Sequence, residues 1–261
     1  MTTLSSKHAP LFLALALAPL AARADMRSVA RELVASHSDA VIEVEVVQEF
    51  SMSQGGQAQT QENEDRVSGV VVDAAGTVVA SLSSLDPSSL MDRVRGEEAM
   101  RFTTKVKDTR YILADGTEVP ATIILRDPDL DIAVLKPRDS EERTYTFIDT
   151  STEAMPGILS PVFTIGRAGR IANRTPTVRS GEIIGMVERP RTYFLPSQSL
   201  EASGAGAPVF GEQGEFMGMV LLRALTNAPD NETPIAAVVI PAIDIREALR
   251  HATEEPTPPS P

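Results

Sequence analysis

Ser68-Gly-Val-Val-Val-Asp-Ala-Ala-Gly-Thr-Val-Val-Ala80 spells a strand, a turn and a returning strand. Val70, Val71 and Val72 favour extended backbone because branching at Cβ leaves few rotamers in a helix. Asp73 and Gly76 bracket a tight turn, the aspartate by bonding nearby backbone and the glycine by reaching positive φ. The segment therefore predicts an antiparallel hairpin. Downstream, Tyr111-Ile-Leu113, the turn Ala114-Asp115-Gly116 and Ala121-Thr-Ile-Ile-Leu125 repeat the form. Further short apolar runs follow at Ile132–Leu135, Val162–Ile165, Gly181–Gly185, Phe216–Leu222 and Ala236–Ile240. Upstream, Val41-Ile-Glu-Val-Glu-Val-Val47 alternates apolar with acidic residues, the period of a half-buried strand. Many short strands, Gly/Asp turns and no long helices between them predict an all-β barrel or sandwich. Helices are expected only at the ends, over Met26–Ser36 and Pro241–Ala252, where apolar residues recur at helical spacing.

Two stretches break the pattern. Ser51 to Glu64 is polar and Gln-rich around Gly55-Gly56, and Asp86 to Asp108 is charged and weakly periodic; both are expected to be loops. Leu90, Met91 and Val94 would give the second one amphipathic helical turn. At the start, Lys7 and His8 precede the apolar run Leu11 to Leu20, and Ala22-Arg23-Ala24 has the form of a secretory cleavage site. That run is half the length of the about 20 residues that span a bilayer, so residues 1–24 read as an export signal and no transmembrane anchor is expected after its removal. The protein is expected to be periplasmic or secreted. The last residues, 253–261, are Pro-rich and expected to be disordered.

The chain has 261 residues, with 24 Lys plus Arg against 36 Asp plus Glu and a net charge of -12. Phosphate backbones are repelled by such a surface, so no nucleic-acid partner is expected. Cysteine is absent, which excludes disulfides, thiol catalysis and thiolate metal sites. Asp127-Pro-Asp129-Leu-Asp131 gathers three carboxylates, but it lacks the glycine and distal glutamate of a calcium loop, and a turn before the next strand explains it. No metal and no cofactor are expected. Of the histidines, His37 lies at a helix end and His251 in the final helix, where capping or surface roles are the ordinary reading.

The ordered segments resemble the protease domain of the HtrA family, secreted serine proteases with a trypsin-like double antiparallel β-barrel. The resemblance rests on four blocks: Ser68–Ala80; Leu113–Ala121 with Asp127–Lys136; Thr164-Ile-Gly166 with Ser180-Gly-Glu-Ile-Ile184; and Ser203-Gly-Ala-Gly-Ala-Pro208 with Gly214-Glu-Phe-Met-Gly218. The most specific is Asp127–Lys136, because the family places its catalytic aspartate just before such a strand. The resemblance implies two barrels with short terminal helices, dividing near residue 145: 25–145 for the N-terminal helix and first barrel, 146–252 for the second barrel and C-terminal helix.

Residue by residue, the family's histidine position falls on Ser83, its aspartate on Asp131 and its nucleophile on Ala205. Ser203, Gly204 and Ala205 occupy the oxyanion loop, where Ser203 and Ala207 stand in place of family glycines; that substitution puts the loop's shape in question. Losing nucleophile or base costs roughly a millionfold in turnover. The expected protein is therefore a pseudoprotease whose triad positions Ser83, Asp131 and Ala205 are degenerate, acting as a peptide- or protein-binding or scaffolding module. The competing reading is a serine endopeptidase with a non-standard nucleophile, for instance Ser203, Ser83 or Ser84 with Lys105, Lys107 or Lys136 as base. A PDZ domain, usual in the family, is not expected after Ala252. The partner's identity and the oligomeric state stay open.

Overall fold

A computed structural model of the chain describes residues 25–54, 57–88, 101–138, 143–152, 154–224 and 235–254. The expected export signal, the helical turn around Leu90 to Val94 and residues 255–261 of the expected tail lie outside the described residues, while Thr253 and Glu254, expected in that tail, end the C-terminal helix. Two closed six-stranded barrels make up the fold, every strand pair antiparallel.

The first barrel is built from β1 (Val41–Gln54), β2 (Gln57–Val71), β3 (Val78–Ser81), β4 (Arg101–Ile112), β5 (Glu118–Asp127) and β6 (Ile132–Pro137), in the order β1-β2-β3-β6-β5-β4. β2 and β3 are the two arms of the Ser68–Ala80 hairpin, with Val70 opposite Val79. The Asp73 carboxylate receives the Thr77 N–H at 2.9 Å, the turn bond expected of that residue. In β1 Val44 and Val46 are fully buried, and Glu45 between them is buried as well, held by Arg66 and Arg110 rather than facing solvent. Burying each valine contributes about 1.5–3 kcal/mol. Ile132, Ala133, Val134 and Leu135 are all buried, because β6 is covered on both faces.

The second barrel holds β7 (Pro161–Arg167), β8 (Pro176–Val187), β9 (Tyr193–Pro196), β10 (Pro208–Phe210), β11 (Phe216–Ala224) and β12 (Ile235–Pro241), ordered β10-β11-β12-β9-β8-β7. β9 and β10 carry no strand period in the sequence, since each is short and carries a proline. The N-terminal helix, Met26–His37, buries Val29 and Leu33 and packs against β7 and β8. The C-terminal helix, Ala242–Glu254, buries Ile245, Ala248 and Ala252 and crosses back onto β5 and β6. Each terminal helix thus reaches across the chain; one apolar cluster runs through both barrels, and a second, with Val162, Ile183, Phe194 and Val239, fills the second barrel. Arg167 reinforces the junction, its guanidinium donating to the carbonyls of Val41 and Ser38 and to Asp39.

Three expectations fail. Residues 51–54 and 57–64 are strand, not loop: β1 and β2 stay in register to Gln54 opposite Gln57. Backbone pairing with β1 makes this ribbon, which the polar composition conceals. Residues 101–108 likewise belong to β4, paired with β1 from Ser53 opposite Arg101. Helix is not confined to the termini either, since single helical turns occur at Leu82–Leu85 and Gln198–Glu201. Among the described residues no helix is long and apolar enough to cross a membrane.

Candidate functional site: the junction between the barrels

Ser81 ends β3 and caps the helical turn Leu82–Leu85, its hydroxyl accepting the Ser84 N–H at 3.2 Å. That turn presents Ser83 toward the loop before β6. There Asp131 adopts a left-handed backbone, φ 61°, a conformation aspartate tolerates better than most residues. One carboxylate oxygen of Asp131 accepts the Ser83 N–H at 2.7 Å. The other accepts the Ser81 hydroxyl at 2.7 Å and the Leu222 N–H at 2.9 Å. The backbone closes the same contact, the Leu82 N–H donating to the Asp131 carbonyl at 2.9 Å. Leu222 lies on β11, so this one side chain spans the two barrels.

Asp131 is 6% exposed. Burial pushes its carboxyl above the usual carboxylate range, and the bonds from Ser81, Leu222 and Ser83 only partly offset that. The Ser83 hydroxyl sits 3.3 Å from the Ser81 hydroxyl within this buried group, and that of Ser84 donates to Ser81 at 3.0 Å. The cluster is a chain of small hydroxyls ending on a carboxylate. It offers hydrogen bonds to its own backbone, and a serine has no imidazole nitrogen with which to take a proton near neutrality.

The loop Ser203–Pro208 enters from the second barrel. Gly206 donates its N–H to the Val220 carbonyl at 2.7 Å, two residues from Leu222. Its φ is 90°, and a Cβ there would stand 2.3 Å from the Ser68 carbonyl oxygen of the first barrel, so only glycine fits. Gly204 also has positive φ, 83°. The positive φ values of the loop lie at Gly204 and Gly206; Ser203 and Ala207 hold none.

An oxyanion hole needs two free N–H groups, at the nucleophile and two residues before it. The second of these is Ser203, and its N–H is already donated to the Leu200 carbonyl at 2.9 Å. Gly204 likewise donates to the Glu201 carbonyl at 3.1 Å, continuing the helical turn of Gln198–Glu201. The Ser203 hydroxyl is hydrogen-bonded to that of Thr164 on β7. Ala205, partly exposed, projects only a methyl group.

A family model described as a trypsin-like peptidase domain matches residues 67–219, which run from β2 through both barrels to β11. The chain belongs to that family. No curated protein matches the chain. In this trypsin-like domain, Ser83 and Asp131 meet directly in the first barrel. The Ser203–Ala205 loop approaches the same junction through Gly206 and Val220.

The other candidates lie elsewhere. Lys107 is paired with Glu49 at 2.6 Å, and Lys136 faces the C-terminal helix. His37 is half-buried and makes no capping bond: its ring stacks on Phe210 at 5.4 Å, and its Nδ1 is buried without a partner. Asp127 accepts the N–H groups of Asp129 and Leu130 at 2.9 and 3.0 Å, a turn that orders the chain ahead of Asp131. Among the described residues no group of three or more His, Asp and Glu is placed to hold a metal ion. Sequence reasoning missed Ser81 and the Leu222 N–H; only the three-dimensional path of β11 discloses the second.

Proposed function

We propose that this trypsin-like domain is a catalytically inactive, exported protein of HtrA type that binds extended peptide or protein segments without cleaving them. The observation that carries this reading is the occupied state of the junction. Asp131 spends its carboxylate on Ser81, Ser83 N–H and Leu222 N–H, while residue 205 is an alanine in a loop whose Ser203 N–H is already used. A general base, a nucleophile and an oxyanion donor are each replaced by something that serves the fold. Extended peptides are recognised through main-chain hydrogen bonds, which need none of these groups.

The alternative, a serine endopeptidase with a non-standard nucleophile, has less support. Ser81 and Ser83 are buried and bonded to Asp131 or its neighbours, and Ser203 is bonded to Thr164. Retention of unfolded casein on the immobilised full chain, followed by mass spectrometry of the bound and flow-through fractions, tests the proposal. Intact casein in the bound fraction is expected. Fragments that accumulate with time, or no retention at all, would contradict it.

A further inference from the structure

The C-terminal helix does not close completely on the first barrel. Period two along β6 turns Val134 and Lys136 to the same outer face, and helical spacing turns Leu249, Ala252 and Thr253 toward them. Between these faces lies a hollow of about 210 Å³, completed by Ile124, Val72, Asp73 and Thr77. Its aliphatic wall is made by Val72, Ile124, Val134, Leu249 and Ala252. Two opposite charges stand on it, Asp73 and Lys136, and among the described residues they form no ion pair with each other or with a third group.

A second observation comes from the wall itself. Thr77 is 4% exposed and its hydroxyl is buried with no hydrogen-bond partner. Buried hydroxyls are ordinarily satisfied, so an orphan on the wall of the hollow, beside a carboxylate, marks a place where a polar group is missing. Asp73 gives one oxygen to the Thr77 N–H, which fixes the carboxylate at the hollow.

We propose that this hollow is a binding site for a small zwitterion, a free aliphatic α-amino acid of about leucine size. The ligand's carboxylate pairs with Lys136, its ammonium with Asp73, and its side chain lies against Val72, Ile124, Val134 and Leu249. A plain fatty acid would leave its negative charge beside Asp73 with nothing to offset it. A plain amine would leave Lys136 unpaired and repelling it. A ligand carrying both charged groups on one carbon answers both residues, and a leucine-sized side chain fits the volume of about 210 Å³. The site is separate from the junction between the barrels and does not depend on how that junction is read.

Titrating the ¹⁵N-labelled full chain with L-leucine, 4-methylpentanoate and 3-methylbutylamine tests the assignment. Leucine is expected to shift the amides of Asp73, Gly76, Thr77, Lys136 and Leu249, and to bind at least tenfold more tightly than either single-charge analogue. K136M keeps the aliphatic stem of a partly exposed side chain, and D73N keeps the oxygen that accepts the Thr77 N–H. Each is expected to fold normally and to weaken leucine at least tenfold, and A252F is expected to fill the hollow and abolish the shifts. No shifts at 50 mM leucine, shifts that map elsewhere, equal binding of all three probes, or leucine binding unchanged in K136M would each overturn the proposal.

Discussion

Replacing Asp131 tests whether that carboxylate serves the fold. In D131A the Ser83 and Leu222 N–H groups lose their acceptor in a site that is 6% exposed in the parent. The Ser81 hydroxyl also loses its acceptor, but Ser83 and Ser84 hydroxyls lie 3.3 and 3.0 Å away and can take it. Two orphaned buried N–H groups cost about 1–3 kcal/mol each, so roughly 4 kcal/mol together. Alanine at φ 61° adds about 1 kcal/mol. Removing a buried charge returns part of this, which leaves an expected loss of about 3–4 kcal/mol. D131N keeps one accepting oxygen and tolerates the backbone, so its loss is expected to be about 2 kcal/mol. Urea unfolding followed by circular dichroism measures both. A D131A variant within about 0.5 kcal/mol of the parent, the range of ordinary surface substitutions, would refute the claim that Asp131 clamps the barrels together.

Other consequences follow from groups outside the junction. Burial would push Glu45 upward, but hydrogen bonds from Arg66 and Arg110 outweigh it and hold the carboxyl below its ordinary value. Its contribution is therefore full above about pH 4.5, the ordinary value for glutamate, and is lost as the pH falls through the folded value. E45Q is expected to cost about 2 kcal/mol at pH 7, discounted for arginines that are a third exposed, and to flatten the acid limb of stability against pH; an unchanged acid limb would contradict this. His37, stacked on Phe210 in a hollow shared with Asp149 and Glu215, is held below its ordinary value of 6.5 by burial. Stability is then full above pH 6.5 and falls as the pH drops toward the folded value, and H37F is expected to abolish that fall; a persistent fall between pH 6.5 and 5 would assign it to other groups. Restoring the nucleophile alone, A205S, is expected to leave casein hydrolysis at background, because Ser83 supplies no base; measurable turnover in A205S would refute that account.

Much of the architecture is legible in the sequence because turn chemistry is local. Asp73 and Gly76, or Asp115 and Gly116, announce a hairpin through bonds made within a few residues. The strand Gln57–Val71 is illegible over its first half, since Gln57 to Glu64 earn their extended form from main-chain pairing with β1 and not from an apolar period. Tyr193–Pro196 and Pro208–Phe210 are too short to display a period at all. At the junction, the positions Ser83, Asp131 and Ala205 can be read by resemblance. What Asp131 holds cannot, because the Leu222 N–H comes from a strand 91 positions away. The positive φ values of the loop, at Gly204 and Gly206, and the Ser203 N–H bond to Leu200 are likewise set by the folded path and not by residue type at 203 and 207.

The claim that no hydroxyl at the junction acts as a nucleophile can be tested in one measurement. The purified protein is incubated with a serine-reactive fluorophosphonate and its intact mass recorded, with an active trypsin-like protease as the positive control. The account predicts an unchanged mass under conditions that label the control fully. A stoichiometric adduct, located by peptide mapping to Ser81, Ser83, Ser84 or Ser203, would contradict it and name the active residue.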